Sequence, residues 1–409
     1  MVQVSSSRNL RILGYLSCFE LRMHVVFGGT YPRNPDSIQG GVDAALVYLV
    51  RALEPYKDLR ISVVTLTPRG SERGTVKHGD VEVQYVPASK QPSYLSALKN
   101  NRELRDAMLR VKPDLIHAQV AGEFAEAAAS TGLPWVLTPH GIRHLEVNLW
   151  KGFRARHYKG FFVKRAERRA ITSARHVISI SPYIRKVFAN RLQGRIYDIE
   201  NAVDASFFNV SSKMDPKRLL FVGRLIPRKG VHTLLHAFAE LHRRLPDTTL
   251  RIAGGDSFSN ELRAYGGQLR SFVKQSGLEE AVTFLGPVDR ARLLEEYRRS
   301  SVVVLASVQE TAPMVIAEAM AVGNAVVSTD CGGVRHMVED GETGRVVPVD
   351  DITAFSDALH EVLADTQRLE AMIQGGREVA RERFHADLVA ARTREVYYNV
   401  LGRTVPPPA

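Results

Sequence analysis

Two consecutive α/β units, each a doubly wound parallel sheet, with a cleft between them, are what this sequence predicts. Three observations predict it. The chain has 409 residues, and one hydrophobic core stops growing at ~250–300. Short apolar runs alternate with amphipathic helical stretches along most of its length, the rhythm of parallel strands joined by helical crossovers. That rhythm lapses once, near the middle, and restarts.

In the first unit Met23-His-Val-Val-Phe27 reads as a strand that ends at Gly28-Gly29. A loop rich in Pro, Asn and Asp leads to Gly40-Gly41. A helix follows, with Val42, Ala45, Leu46, Leu49 and Leu53 on one face. Further strands are expected at 61–66, 81–86, 114–118, 135–138 and 176–180. From Asn201-Ala-Val-Asp204 to Pro216, through Ser211-Ser212, the pattern dissolves into polar residues. This divides the chain into an extension (1–22), a first unit (23–205) and a second (206–385). The second unit restarts with a strand at 218–222, Gly223 and a helix near 231–245. Strands recur at 250–253, 282–285, 302–305, 325–328 and 345–347. Ligands of such sheets sit outside the carboxyl ends of the strands.

Composition narrows the class. With 44% hydrophobic and 24% charged residues, the chain is an ordered globular protein. No apolar run approaches the ~18–20 residues needed to cross a bilayer. Residues 1–20 place Arg8 and Arg11 before an apolar stretch, but Gly14, Ser17 and Glu20 interrupt it. A loose extension, or a true start at Met23, is the expectation there. Cys18 and Cys331 are the only cysteines, which excludes a disulfide framework and suits a reducing cytoplasm. Metal is not expected: no Cys/His cluster has zinc spacing, and no Asp-x-Asp motif occurs.

The net charge of +11 calls for anionic partners. Much of it is local. Lys151, Arg154, Arg156, Lys159, Lys164, Arg165, Arg168, Arg169 and Arg175 stand against Glu167 alone, interleaved with Trp150, Phe153, Tyr158, Phe161 and Phe162. One reading is a solvated helix whose aromatics pack inward. Another is a surface that docks on anionic lipid, peripheral to the inner face of the plasma membrane. Nucleic acid is not expected as a partner, because no nucleic-acid module accompanies the patch.

The chemistry concentrates in the second unit. Phe221-Val-Gly-Arg-Leu-Ile-Pro-Arg-Lys-Gly230 puts Arg224 and Lys229 in the turn between a strand and a helix. Two cations beside a helix N-terminus, with glycines admitting close approach, suit a diphosphate. Further on, Ser307-Val-Gln-Glu-Thr-Ala-Pro-Met-Val-Ile-Ala-Glu-Ala-Met320 holds Glu310 in a loop and Glu318 inside an apolar helix. A carboxylate among Val315, Ile316, Ala317, Ala319 and Met320 is costly unless paired. Either a salt bridge or a ribose diol would pair it. Asp330-Cys-Gly-Gly-Val334 and Glu339-Asp-Gly-Glu-Thr-Gly344 follow; such turns close strands or approach a phosphate.

With two glutamates separated by seven intervening residues, then Ala-Met-Ala and a Gly-Gly turn, the sequence resembles glycosyltransferase family 4, retaining enzymes of the GT-B fold with two Rossmann-like domains. The resemblance spans nearly the whole chain. It implies that Arg224 and Lys229 neutralise a donor diphosphate and that Glu318 binds the ribose. Glu310 and the backbone of Thr311, Ala312, Pro313, Met314 and Val315 would hold the donor sugar. Gly40 and Gly41 would approach the phosphates from the first unit. Thr138-Pro-His-Gly141 looks like the family segment whose histidine, here His140, reaches that sugar. Asn201-Ala-Val-Asp204 and Phe207 resemble the interdomain linker, and a final helix near 388–401, within 386–409, would cross back to the first unit. The sequence departs from the family where Thr311-Ala312 replaces Gly-Phe, where Pro313 lacks an N–H, and at Ala325 and His336.

The activity so implied is retaining transfer of a sugar from a nucleoside-diphosphate sugar to a glycan or lipid-linked acceptor, by front-face attack and without metal or other cofactor. The nucleotide-sugar is a substrate. Two rivals stand beside it: a nucleotide-sugar epimerase of the same fold, and a non-catalytic basic protein that binds nucleotide or lipid.

Overall fold

In the computed structural model, residues 22–38, 40–68, 70–89, 93–149, 154–210, 213–256 and 260–407 are described. The expectations for the N-terminal extension, for Trp150–Phe153 and for Ser211-Ser212 lie outside them. Apolar runs buried on both faces become strands, and each amphipathic stretch between them becomes a helix lying on the sheet.

The first sheet is built from β1 (Met23–Gly28), β2 (Leu59–Thr67), β3 (Gly74–His78), β4 (Val81–Pro87), β5 (Leu115–Ala118), β6 (Trp135–Leu137), β7 (His176–Ser179) and β8 (Arg195–Asp198). Its order is β3-β4-β2-β1-β5-β6-β7-β8. Helices α1 (Gly41–Leu53), α2 (Ser93–Arg110), α3 (Glu123–Ala129), α4 (Arg143–Asn148), α5 (Gly160–Ser173) and α6 (Pro182–Phe188) connect the strands. The second sheet holds β9 (Asp215–Val222), β10 (Thr249–Ala253), β11 (Val282–Gly286), β12 (Ser300–Leu305), β13 (Ala325–Thr329) and β14 (Arg345–Val347), in the order β11-β10-β9-β12-β13-β14. Helices α7 (Val231–Arg244), α8 (Asn260–Gln275), α9 (Arg290–Arg299), α10 (Met314–Val322), α11 (Ile352–Ala364) and α12 (Thr366–Arg383) accompany it. Both sheets therefore reverse direction once, between β1 and β5 and between β9 and β12. The loops leaving those four strands flank the crevice where doubly wound sheets bind ligands.

The first sheet departs from the sequence expectation in one respect. β3 runs antiparallel to β4, so the sheet is not wholly parallel. β3 is mostly exposed and polar, GTVKH, and β8 is a polar edge strand, RIYD; neither carries the apolar run by which the other strands are read.

The two units share an apolar core. Met314, Ile316 and Met320 of α10 join Leu46 and Tyr48 of α1, Phe207 of the connection and Tyr397 of the last helix, α13 (Ala386–Val400). The chain crosses between the units twice, side by side: Val203 N–H donates to Phe384 O at 2.7 Å, and Ala386 N–H donates to Val203 O at 3.1 Å. α13 then packs against α1, and Arg394 and the Tyr398 hydroxyl both reach Asp58, at 2.8 and 2.7 Å. Among the described residues no helix is long and apolar enough to cross a membrane.

Candidate functional site

At the end of β9 the chain turns through Gly223-Arg224 and a short helical turn, Pro227–Lys229, before Gly230 starts α7. Gly230 has φ +62°, and a Cβ there would overlap the carbonyl of Ala306 at the end of β12. Only glycine lets this turn lie against β12. Lys229 is thereby aimed across the switch point at the loop after β12. Its Nζ donates to Glu310 Oε1 at 2.6 Å, while Arg228 stands 3.8 Å from the same oxygen and donates to Gln309 O at 2.7 Å. Burial opposes ionisation of Glu310, but Lys229 and then Arg228 outweigh it and hold the carboxyl below its usual range.

Behind this loop sits the Gly-Gly turn. Gly332 has φ +59°, a Cβ on it would overlap Glu310 O, and Gly333 N–H donates to that carbonyl at 3.2 Å. The turn supports the backbone of Glu310 and Thr311. Thr311 and Ala312 lead to Pro313, extended at φ −67° and ψ 117°, which caps α10 at Met314 and Val315. Asn201 Nδ2 reaches Ala312 O at 3.5 Å. From the first unit, Gly40 and Gly41 open α1, and a Cβ on Gly41 would stand 3.5 Å from Met314 Cγ.

Arg224 is exposed, and among the described residues no carboxylate closes an ion pair with it. Its charge reaches Asp43 of α1, whose carboxyl burial pushes up while Thr30 and Arg224 draw it back. Among the described residues, no three His, Cys, Asp or Glu side chains gather as a metal site.

Glu318 is only 5% exposed. Among the described residues no salt bridge closes on it; two hydroxyls do. Tyr48 of α1 donates to Oε1 at 3.1 Å and Tyr297 of α9 donates to Oε2 at 2.8 Å. Phe207 packs between the two tyrosine rings, 5.8 Å from each. Burial lifts this carboxyl to about 7, tempered by the two hydroxyls and by Arg290.

His140 is held within the first unit. Its Nε2 meets Gln119 Oε1 at 2.6 Å, beside a small pocket also lined by His117, Thr138, Glu200 and Asn201. Burial lowers it to about 4, so the ring is neutral near pH 7. Among the described residues no hydrogen bond joins it to the second unit. His117 is pinned between Tyr397 Oη and Thr138 Oγ1, at 2.8 and 2.7 Å.

The basic segment folds as one irregular turn (Arg154–Lys159) and α5. Gly160, Glu167, Ala170 and Ile171 face inward. Tyr158 (59% exposed) and Phe161 (60%) face solvent, so these two aromatics do not pack inward as one sequence reading had them. Arg165 and Arg168 continue their face of the helix and are exposed. Glu167 is fully buried and accepts from the backbone N–H groups of Arg143 and His144, at 2.6 and 3.2 Å, capping α4 just after Gly141.

Sequence reasoning missed Arg228, Tyr48, Tyr297 and Glu167. Arg228 carried a signal through its place in the same turn as Lys229, and Glu167 as the single acid of a basic run.

Comparison with known proteins accords with this geometry. Residues 39–207 match the family described as Glycosyltransferase Family 4, and residues 203–379 match Glycosyl transferases group 1. A phosphatidyl-myo-inositol mannosyltransferase of Mycobacterium tuberculosis is 32% identical over 237 residues, 55% of this chain and 60% of that one. A D-inositol 3-phosphate glycosyltransferase of Nocardia farcinica is 40% identical over 154 residues, 37% of this chain and 34% of that one. The match thus spans less than two thirds of these relatives' lengths. Among solved structures, a sucrose-phosphate synthase from Thermosynechococcus elongatus superposes with a TM-score of 0.80 at 21% identity, covering 93% of this chain and 100% of that one. An Anabaena protein solved with UDP and glucose gives 0.71 at 21%, covering 92% and 99%. At such identity these likenesses speak to the fold alone. Matched along residues 39–379 and folded as two facing α/β units, the chain belongs to glycosyltransferase family 4 and has the GT-B fold.

Proposed function

We propose that the chain is a retaining glycosyltransferase that takes a sugar from a nucleoside-diphosphate sugar. One observation carries this reading: the loops leaving β9 and β12 bring Lys229 and Glu310 together at the switch point, with Arg224 exposed in the same turn as Lys229, and the Gly41 end of α1 faces Met314 at the start of α10. Breaking the bond from the anomeric carbon to phosphate leaves negative charge on the departing diphosphate. Arg224 and Lys229 stabilise that charge from fixed positions, in a site where closure excludes water. This assigns the neutralisation to the protein's own cations rather than to a divalent metal. Glu310, with the backbone of Thr311 to Val315, holds the sugar, and Glu318 takes the ribose hydroxyls. His140, neutral near pH 7, approaches the sugar from the first unit. The departing phosphate takes the acceptor's proton as attack occurs on the same face, so retention needs no protein nucleophile.

The acceptor in this reading is lipid-linked or a surface glycan, reached by peripheral docking at an anionic membrane. Tyr158, Phe161, Arg165 and Arg168 form the docking stripe, each cation adding about 1 kcal/mol near an anionic surface. Vesicles of phosphatidylcholine with and without phosphatidylglycerol test it. Wild type should bind only the anionic ones and Arg165→Glu/Arg168→Glu should not; equal binding by both proteins would sink the docking.

The activity itself is tested with UDP-, GDP- and ADP-linked sugars in EDTA, without acceptor. Thermal stabilisation by one donor, with slow release of its diphosphate, supports the reading. Epimerised sugar, or no response to any donor, refutes it.

A further inference from the structure

We infer that Tyr48 is a positioning residue of the donor site: its hydroxyl and the donor ribose contend for the same oxygen of Glu318, so nucleotide binding releases this tie between the first unit and the second. The inference rests on the reading of Glu318 as the ribose ligand.

Both oxygens of Glu318 are engaged, but by groups of different origin. Tyr297, on Oε2, belongs to the same unit as Glu318 and travels with it in any movement of one unit against the other. Tyr48, on Oε1, belongs to α1 of the first unit. It is therefore the partner that a ribose can replace. The exchange is hydroxyl for hydroxyl at one carboxylate, so Glu318 keeps both oxygens engaged, while the displaced Tyr48 hydroxyl must turn to water.

The surroundings make this contact a latch and not a passing touch. The Tyr48 ring is almost wholly buried against Phe207, with the guanidinium of Arg290 5.8 Å from its centre on another side. Arg290 in turn bonds Asp204 and Ser206 of the connection between the units, and its backbone N–H donates to Asp36 O of the first unit at 3.1 Å. Tyr48–Glu318 and Asp36–Arg290 are thus two ties across the cleft, close together. α1 carries Tyr48 in its middle and Gly41 at its first turn, so one rigid helix links the ribose position to the phosphate-facing loop. A ribose that displaces Tyr48 moves the glycine loop as well. Donor recognition and the spacing of the two units become one event.

The test is donor binding, using whichever UDP-, GDP- or ADP-linked sugar stabilises the wild type, with Tyr48→Phe, Tyr297→Phe and Glu318→Ala compared by calorimetry. Phenylalanine keeps the ring packing, and far-UV circular dichroism checks that each variant folds. Tyr48→Phe should lower the Kd three- to tenfold and raise acceptor-free donor hydrolysis, while Tyr297→Phe should not tighten binding. An unchanged or raised Kd for Tyr48→Phe would show that the hydroxyl does not contend with the ribose. Equal tightening by both variants would also overturn the latch, since the effect would then come from an under-bonded carboxylate and not from the first unit. Wild-type donor affinity in Glu318→Ala would overturn the ribose reading, and the latch with it; weakened binding there, without tightening in Tyr48→Phe, removes the latch alone.

Discussion

Lys229 Nζ stands 2.6 Å from Glu310 Oε1, tying the turn after β9 to the loop after β12 across the point where the second sheet reverses. The two side chains are mostly buried, and Lys229 helps to hold the Glu310 carboxyl below its usual range there. Arg224, at the start of the same turn, is exposed and has no such structural duty.

Substituting these two cations should therefore separate binding from stability. Lys229→Met leaves Glu310 buried with only the more distant Arg228, and breaking a buried pair typically costs about 3 kcal/mol. It should lower the melting temperature and weaken donor binding at least tenfold. Arg224→Met should weaken donor binding to a similar degree while stability stays within about 0.5 kcal/mol, as for exposed sites generally. Calorimetry and thermal melts measure both; a stability loss in Arg224→Met equal to that of Lys229→Met would contradict the division of roles.

Glu318 gives the donor affinity a pH dependence. Its carboxyl titrates at about 7, and the ionised form is the better acceptor for two ribose hydroxyls. One proton with that midpoint weakens donor binding roughly tenfold between pH 8 and pH 6. His140, lowered to about 4, stays neutral across this window and adds nothing. The folded protein also holds the Glu318 proton more tightly than the unfolded chain, whose carboxyl has the ordinary value of 4.5. Stability is therefore lost as pH rises from there to about 7. Glu318→Gln should flatten both profiles, and a Kd profile that keeps its slope in that variant would assign the titration elsewhere.

The sequence made the strands legible wherever they are apolar on both faces. β12, SSVVVL, and β13, AVVST, are fully buried, and both lie within two residues of where the pattern puts them. β3 and β8 were not legible, because edge strands owe their form to a neighbour's hydrogen bonds and not to their own burial. The candidate site divides in the same way. Arg224, Lys229, Glu310 and Glu318 stand out because charge beside glycine, or charge inside an apolar helix, is locally anomalous. Tyr48 does not, since a tyrosine within a helix reads as core; its hydroxyl acquires meaning only when folding sets it against a residue 270 positions away. Glu167 was visible as the single acid in a basic run, but the α4 backbone it caps could not be seen from sequence.

Gly332 offers a purely conformational test. A side chain at its φ of +59° is strained, by about 1–2 kcal/mol for an alanine, and here the Cβ would also overlap Glu310 O. Gly332→Ala should push the Glu310 loop from its place, lowering donor affinity and stability together. At Gly267, within α8, an added Cβ would meet no atom within 4 Å, so Gly267→Ala serves as the neutral control. Equal effects of the two substitutions on donor Kd would deny the loop-support role.

Glu167 offers the last, and it concerns the first unit. This carboxylate accepts three hydrogen bonds: from Arg143 N–H, His144 N–H and His144 Nδ1, the last at 2.6 Å. All three lie just beyond Thr138-Pro-His-Gly141, so α5 fixes the direction in which the chain leaves His140. Leaving those part-buried backbone donors without an acceptor costs at most about 1–3 kcal/mol each. Glu167→Ala should therefore destabilise the protein by a few kcal/mol, whereas Glu167→Gln, which keeps one acceptor oxygen, should recover part of that loss. Hydrogen exchange locates the effect: faster exchange should be confined to residues 140–148 and the facing part of α5. Loss of protection spread evenly over both sheets would mean that Glu167 serves the global fold and has no special hold on the segment that presents His140.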